Sequence, residues 1–220
     1  MNVNILFLIF QLCVLIFSVM IHEISHGFVA EKLGDPTARL AGRLTLNPLR
    51  HIDLFGSIIL PLVLFLGHSP VVLGWAKPVP YNPFNLRKDF KYGPLKVALA
   101  GPISNILILL ILGGGARIAF SYLSPALVSL FAFVAFLNVS LAVFNLLPIP
   151  PLDGSKILPL LFPKIAFNIE RFGFYGIFFV FIFLMFFSKV IAVITTYIFV
   201  LVSGPQVATH MFQFFNTLSR

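Results

Sequence analysis

An apolar segment with charged and titratable side chains embedded in it most constrains how this chain can fold. The segment runs from Val3 to about Ala30 and carries a His-Glu-x-x-His motif at residues 22–26. Its length is sufficient for a helix to cross a bilayer. An ionisable residue at the centre of a membrane helix costs about 2.5–3.5 kcal/mol, so three together require a partner or a purpose. The sequence therefore predicts a transmembrane helix that carries a polar site.

Two residues of the motif are suited to bind a metal. His22 and His26 are four residues apart, so on a helix they lie on one face with Cβ atoms roughly 6 Å apart. Two imidazoles so placed can share one Zn²⁺, and Glu23 beside the first can reach a metal-bound water. The alternative is that all three are polar residues near a helix end and that the histidines are only hydrogen-bonded.

Composition narrows the class of protein. Of 220 residues, 59% are hydrophobic and 10% are charged, which indicates an integral membrane protein. The formal charge of +8 comes from Lys and Arg dispersed between apolar segments. This pattern favours loops anchored beside anionic lipid over a nucleic-acid partner. Cys13 is the single cysteine, so neither a disulfide framework nor a thiolate zinc site is expected. The first apolar segment lacks a basic start and a cleavage site, and we interpret it as retained.

Apolar runs and helix-end signals predict the remaining spans. The first helix is expected at Val3–Leu33, ending at Gly34-Asp35-Pro36, and the second at Leu95–Phe120. Ala126–Leu147 is the third span. Phe172–Val202 is long for one span and is consistent with either one helix or two short ones joined at Lys189.

Two segments between the first and second helices are not simple spans. Ala38–Leu46 partly alternates apolar and polar residues around Gly42, which is consistent with a short β-hairpin or an irregular loop. Leu54–Leu73 is apolar but broken by Pro61 and Pro70, and a proline-rich stretch follows it. We predict that this second segment dips into the membrane and returns.

The distribution of basic residues supports that topology. Residues 31–53, 74–96, 116–125 and 147–172 contain four, five, one and three Lys or Arg residues. If Leu54–Leu73 re-enters, the two richest loops share the cytoplasmic side, as the positive-inside rule favours. The N-terminus then lies outside, the loop around Asp153 is cytoplasmic, and Asp153 is expected at about the membrane depth of the two histidines.

A third metal ligand has to come from elsewhere in the chain, because hydrolytic zinc sites usually use three protein ligands and one open position. His51, His68, Asp53 and Asp153 are candidates by residue type. Asp153 has the best context, since prolines break the preceding helix and Gly154 lets the backbone turn.

These motifs resemble those of the site-2 protease family, the intramembrane zinc metalloproteases, in its compact prokaryotic type without a PDZ domain. The His-Glu-x-x-His motif is similar to the family's metal motif, and residues 145–154 (Asn-Leu-Leu-Pro-Ile-Pro-Pro-Leu-Asp-Gly) resemble its second motif. Residues 101–105 resemble the glycine-proline…asparagine element of the intervening core helix. The resemblance covers most of residues 15–160 and is weakest at Leu54–Tyr92, where family members vary most.

The resemblance implies a fold and a function. The expected fold is an all-α polytopic membrane protein with a three-helix catalytic core, a re-entrant segment, a short β-hairpin and C-terminal helices. It would form one domain over residues 1–220, with the core at about 3–160 and a C-terminal helical part at 172–203. The expected activity is zinc-dependent intramembrane cleavage of transmembrane protein substrates in a prokaryotic cell membrane, with the active site toward the cytoplasm.

The resemblance also assigns roles to residues. His22, His26 and Asp153 would bind one Zn²⁺ per chain, and Glu23 would act as general base toward a zinc-bound water. Asn105 and Asn145 are amides able to hold the substrate backbone or stabilise the oxyanion, or alternatively to make interhelical hydrogen bonds. Ala38–Leu46 could offer an edge strand to an unwound substrate. His51 is expected to be a capping or interface residue, and Trp75 and Tyr81 interfacial anchors.

Two other functions use the same residues. A metal transporter or sensor would need the three ligands but has no evident need for Glu23. A catalytically silent scaffold has no reason to keep the full set. Neither the substrate nor the oligomeric state follows from the sequence.

Overall fold

The computed structural model describes residues 5–59, 63, 66, 76–161 and 173–218, and every regular element in these ranges is helical. The α-helices are α1 (Ile5–Lys32), α2 (Thr37–Leu40), α3 (Gly93–Ile118), α4 (Pro125–Asn145), α5 (Leu158–Leu161), α6 (Gly173–Ser203) and α7 (Pro205–Leu218). Within the described ranges, α1, α3, α4 and the Phe178–Ser203 part of α6 are long and apolar enough to cross a membrane. The chain is therefore an integral membrane protein, and the predicted spans are confirmed to within a few residues at their ends.

The described residues group into two compact units. One comprises the chain up to Leu15 together with Ala98 onward, and the other comprises Ile16–Val97. The single domain expected from the sequence stays a prediction.

Small residues allow the helices of the first unit to pack closely. Ala132 and Ala135 of α4 are completely buried in a core that also receives Leu109 of α3 and Phe199 of α6. A Cβ at Gly113 would lie 2.5 Å from the Ser203 Oγ. Close backbone approach through small residues is the usual basis of helix association in membranes, where lipid is as apolar as the side chains.

In the C-terminal part of the first unit, one of the two predicted alternatives is confirmed and one further helix is present. α6 is one continuous helix, and there is no turn at Lys189, whose exposed side chain can extend from the helix without breaking it. Beyond it lies α7, which the sequence analysis did not predict. Gly204 has φ +83° and Pro205 begins the next helix, so a left-handed stop and a proline start are directly adjacent.

In the second unit, the stop predicted after α1 is confirmed. Gly34 has φ +112°, and the Asp35 N–H donates to the Ala30 carbonyl while the Gly34 N–H donates to that of Glu31. These two bonds form a Schellman motif, in which a left-handed residue lets the chain satisfy the last helical carbonyls.

Asp35 then connects the end of α1 to a later part of the chain. Its side chain is completely buried and accepts hydrogen bonds from the Thr37 hydroxyl, the Asn82 backbone N–H and the Asn85 side chain. Burial raises the pKa of Asp35, but these hydrogen bonds together lower the pKa by more, so it lies below the ordinary value. The charged carboxylate is therefore the form that the fold stabilises.

The β-hairpin predicted at Ala38–Leu46 is absent. Residues 37–40 form the one-turn helix α2, which ends in a second Schellman motif with Gly42 at φ +63°. The Arg43 N–H donates to the Ala38 carbonyl and the Gly42 N–H to that of Arg39. The backbone N–H groups of residues 40–43 are satisfied within this turn, and the segment contains no strand, so the edge strand expected for a substrate is absent.

Most of the predicted re-entrant segment Leu54–Leu73, together with His68 and Trp75, falls outside the described residues. Its first six residues, Leu54–Ile59, form a π-helical turn. The Asp53 carboxylate caps this turn by accepting the backbone N–H groups of Phe55 and Gly56.

Candidate functional site

The two motif histidines form a buried pair on one face of α1. His22 and His26 are 5% and 8% exposed, and their ring centroids are 4.7 Å apart with the rings edge to face. Each ring offers a nitrogen within 4.8 Å of the other. One Zn²⁺ binds imidazole nitrogens at about 2.0–2.1 Å, so ring nitrogens this close are suited to share one ion. The prediction that the two histidines share one helix face is therefore confirmed.

A backbone carbonyl fixes the orientation and tautomer of the second histidine. The His26 Nδ1 lies 2.7 Å from the Val97 carbonyl oxygen, near the start of α3. A carbonyl can only accept, so Nδ1 carries the proton and donates, and Nε2 is the atom through which this ring would bind a metal. Metal-binding histidines commonly have this arrangement, in which the second nitrogen is held by a hydrogen bond. The observation supports a metal site more than a merely hydrogen-bonded pair.

Glu23 is held by a different part of the chain. Its Oε2 accepts a 2.8 Å hydrogen bond from the backbone N–H of Val79. Val79 lies in residues 76–80, an extended segment that we term the proline segment because residues 78 and 80 are both prolines. A backbone group of the protein therefore holds the Glu23 carboxylate without help from a metal or a substrate.

The absence of a side chain at Gly27 lets the proline segment and α2 approach α1 at this point. A Cβ there would lie 2.7 Å from the Val79 Cγ1, 2.7 Å from the Leu44 Cδ2 and 2.9 Å from the Ala38 Cβ. Such distances are incompatible with any side chain larger than hydrogen. Gly27 directly follows the His-Glu-x-x-His motif, and a glycine at this place was the sequence feature that could have indicated the close contact.

Asp153 begins a 3₁₀ turn, Asp153–Ile157, after the proline-rich end of α4. The turn depends on Gly154, but not for the conformational reason given in the sequence analysis. Among the described glycines, positive φ angles occur only at Gly34, Gly42 and Gly204. Instead, a Cβ at Gly154 would lie 2.2 Å from the Leu146 carbonyl oxygen, so the glycine allows the turn to pack directly on the end of α4.

The other candidate ligands have structural roles where they are described. The His51 Nε2 donates to the Thr45 carbonyl at 2.9 Å and so connects two parts of the loop, while the capping or interface role expected for it stays a prediction. Asp53 caps the π-helical turn. These two side chains stabilise the loops that follow α2, and His68 lies outside the described residues.

The two asparagines proposed from the family resemblance make hydrogen bonds within the helices. Asn105 is completely buried, and its Nδ2 donates to the Asn138 Oδ1 at 2.7 Å, joining α3 to α4. The Asn145 Nδ2 donates to the Leu141 carbonyl at 3.0 Å. For Asn105, the structure thus shows the interhelical hydrogen bond that was the alternative to a substrate contact.

An apolar cavity lies beside the turn that precedes Asp153. Its volume is about 380 Å³, and residues of that turn and of α6 line it: Pro148, Ile149, Pro150, Gly176, Phe179, Ile182, Phe183, Phe186 and Phe187. Such a cavity suits an aliphatic or aromatic side chain rather than a polar ligand.

Comparison with known proteins agrees with these observations. Residues 111–188 match the model of the family described as peptidase family M50. The chain is 40% identical over 156 residues to a Bacillus subtilis protein named "Putative zinc metalloprotease YwhC", covering 68% of this chain and 67% of that protein. It is 34% identical over 143 residues to Rip2 of Mycobacterium tuberculosis and 36% identical over 140 residues to Rip2 of Mycolicibacterium smegmatis, whose names carry the same description.

The mycobacterial matches cover 64% and 62% of this chain, but only 52% and 51% of the relatives. The chain therefore corresponds to about half the length of those proteins. No solved structure matches it significantly.

Proposed function

Because this chain belongs to peptidase family M50, in which its relatives are named as zinc metalloproteases, we propose that it is a zinc-dependent intramembrane endopeptidase. The observation that carries the proposal is the buried His22–His26 pair with Glu23 fixed beside it on a membrane-spanning helix. Three ionisable groups at such a depth are costly unless they serve a metal or a reaction. The substrates would be transmembrane segments of other membrane proteins.

We propose that His22, His26 and Asp153 hold one Zn²⁺ per chain. Two imidazoles and a carboxylate are a donor set that zinc accepts in hydrolytic sites, and the hydrogen bond to the Val97 carbonyl places the His26 proton on Nδ1, so that Nε2 would be the metal-binding atom. Asp153 is assigned by its place in the second family motif and by residue type. When bound, zinc would supply Lewis acidity, which lowers the pKa of a water ligand to about 7 and polarises the scissile carbonyl.

Glu23 would act as the general base and then as the general acid. Its carboxylate takes a proton from the attacking water and later gives it to the nitrogen of the leaving amine. The hydrogen bond from the Val79 N–H holds one carboxylate oxygen, and the other oxygen of the same group can receive the proton. The hydrogen bond restricts the carboxylate, so less conformational freedom is lost when it accepts this proton.

The substrate has to expose a peptide bond that its own helix conceals. A transmembrane helix hydrogen-bonds its whole backbone, so the cleaved segment must unwind locally within the enzyme. The apolar cavity beside Pro148–Pro150 is suited to receive an apolar side chain of such a segment. We place the enzyme in a prokaryotic cell membrane because the relatives it matches are bacterial proteins. The distribution of basic residues places the site toward the cytoplasm.

Asn105 and Asn145 are not part of the proposed mechanism. The amide of Asn105 is engaged with Asn138, and that of Asn145 with the preceding helical turn. Each of these hydrogen bonds uses only the Nδ2 group, and a role of either residue toward the substrate backbone or the oxyanion stays a prediction from the family resemblance.

Two substitutions test the proposal, because they separate base from ligand. Glu23→Gln keeps the size of the side chain and leaves the proposed ligands unchanged, so zinc content should stay near wild type. Cleavage should fall by roughly 10²–10⁴-fold, the usual contribution of general acid–base catalysis. Asp153→Asn should lose zinc and activity together, because a neutral amide is a poor zinc ligand.

The measurements are zinc stoichiometry by atomic absorption and cleavage of single-pass transmembrane proteins reconstituted with the enzyme in lipid vesicles. Cleavage by Glu23→Gln at the wild-type rate would contradict the assigned mechanism. If the wild-type protein binds zinc and moves it across the vesicle membrane without cleaving any substrate, the function is metal transport.

A further inference from the structure

We propose that Arg43 is a positioning residue for Glu23, acting through the peptide group that joins Pro78 to Val79. The inference rests on the proposed function, because it concerns how the general base is held. All the contacts that carry it lie within the Ile16–Val97 unit. No feature of the sequence pattern around Arg43 assigned it this role.

The geometry is a chain of three hydrogen-bonded groups. The Arg43 Nη2 donates to the carbonyl of Lys77 and, at 3.3 Å, to that of Pro78. The N–H of Val79 donates to the Glu23 Oε2 at 2.8 Å. The Pro78 carbonyl and the Val79 N–H belong to one peptide group, so Arg43 and Glu23 bind its two ends.

The planarity of this peptide group lets Arg43 influence the position of Glu23. In a trans peptide group, the C=O and N–H bonds point in opposite directions within one plane. When Arg43 fixes the direction of the Pro78 carbonyl, it also fixes the direction of the Val79 N–H, and with it the position of the Glu23 carboxylate. The guanidinium also polarises the peptide group and strengthens the hydrogen bond that it donates.

Other contacts hold the proline segment on both sides of the Pro78–Val79 peptide group, and the rotation of this group is the freedom that remains. The Lys77 N–H donates to the His51 carbonyl at 2.9 Å, and the Val79 side chain packs where Gly27 has no Cβ. Prolines at 78 and 80 restrict φ on both sides of Val79. The segment is therefore stiff in itself, and Arg43 sets its rotation.

The burial of Arg43 argues that this contact matters. Its side chain is 6% exposed, although a guanidinium is among the groups least often buried. The nearby Arg39 and Arg50 are both exposed. Placing one arginine of this loop inside the protein is costly, and the two backbone carbonyls it binds are those that flank Pro78.

The first test measures the contact without relying on catalysis. Val79 carries the only backbone N–H between Lys77 and Tyr81, since residues 78 and 80 are prolines, so its hydrogen exchange can be assigned unambiguously. Arg43→Met should make this amide exchange at least about tenfold faster, because it frees the peptide group. Arg50→Gln, a change at an exposed arginine, should leave the exchange rate unchanged.

The second test asks whether Arg43 acts through Glu23. With a reconstituted transmembrane substrate, Arg43→Met should lower kcat by about 10- to 10²-fold, as expected for loss of a charge-assisted hydrogen bond, with KM nearly unchanged. Arg43→Lys keeps the charge and one donor direction, so it should recover part of the rate. In a Glu23→Gln background, Arg43→Met should lower the residual rate no further, because both changes disable the same step.

Each outcome separates the possibilities. If the Val79 amide stays protected in Arg43→Met, or if that variant cleaves at the wild-type rate, the positioning role is wrong and the proposed protease function is unaffected. An equal loss of rate in the wild-type and Glu23→Gln backgrounds shows that Arg43 only stabilises the fold, and also overturns the role. A wild-type protein that binds zinc but cleaves no transmembrane substrate refutes the proposed function, and the role with it.

Discussion

Replacing Gly154 with alanine should disturb the turn that carries Asp153. The added Cβ would lie 2.2 Å from the Leu146 carbonyl oxygen and 2.6 Å from that of Leu147, whereas ordinary contact begins at 3.4 Å. Both obstacles are backbone atoms at the end of α4, so no side chain can rotate away to relieve the clash. The turn itself has to move by roughly 1 Å.

The size of the effect follows from the packing. Overpacking a well-filled site costs about 1–3 kcal/mol and occasionally more, and a clash with backbone belongs at the upper end. For a chain of this length, each kcal/mol corresponds to a shift in melting temperature of about 2–4 °C. Gly154→Ala should therefore lower the melting temperature by on the order of 5–10 °C. If Asp153 is a zinc ligand, zinc stoichiometry measured below that temperature should fall as well.

Gly114→Ala is the matched control, since it makes the same chemical change on another helix of the same unit. No atom lies within 4 Å of a Cβ at this position, and the backbone is helical with φ −66° and ψ −40°. Alanine there should stabilise the protein by about 0.5–1 kcal/mol. Thermal unfolding of both variants in detergent, with zinc analysis, is the assay. If Gly154→Ala has the same melting temperature as Gly114→Ala and keeps its zinc, close packing against the end of α4 does not require a glycine at position 154.

Two further predictions follow from other parts of the molecule. The pKa of Asp35 is lowered in the fold, so the stability that its carboxylate contributes is complete above the ordinary aspartate value of about 4 and is lost as pH falls through the lowered pKa. The melting-temperature difference between the wild type and Asp35→Asn should therefore be constant at neutral pH and shrink below about pH 4. A difference that does not change with pH would exclude the charged carboxylate as its source. The number of Lys and Arg residues in each loop predicts that residues 31–53, 74–96 and 148–171 are cytoplasmic. Cysteines introduced at positions 85–92 should therefore not react with a membrane-impermeant reagent added to intact cells. Labelling from outside would refute the re-entrant interpretation of Leu54–Leu73.

The main helices could be predicted because the signals that define them are local. Apolar length identified α1, α3, α4 and α6, and the glycine and proline that end α1 do so through the expected left-handed cap. α7 was missed because its own composition is amphipathic and no apolar run marks it, although Gly204-Pro205 was a readable stop and start. The predicted hairpin at Ala38–Leu46 was wrong. Alternating apolar and polar residues over so short a segment do not distinguish a strand from a helical turn that satisfies its own N–H groups.

The predicted site residues and the residues that hold them differ in how they can be found. His22 and His26 were predicted from their four-residue spacing, because one helical face brings them together, and Glu23 was predicted from its place directly after His22 in the motif. Their partners are backbone groups at Val97 and Val79, more than fifty residues away in the sequence. A backbone N–H or carbonyl has no residue type, so no motif marks the positions that supply it.

The sequence can reveal such backbone partners only indirectly, through nearby residues that make space for the backbone group or orient it. Gly27 leaves room for the proline segment beside α1, and the prolines at 78 and 80 isolate a single N–H for Glu23. Arg43 turns that N–H toward the carboxylate by binding the opposite end of its peptide group. It follows that substitutions at Gly27 or Arg43 should act on the rate through the position of Glu23, even though neither side chain is a proposed metal ligand.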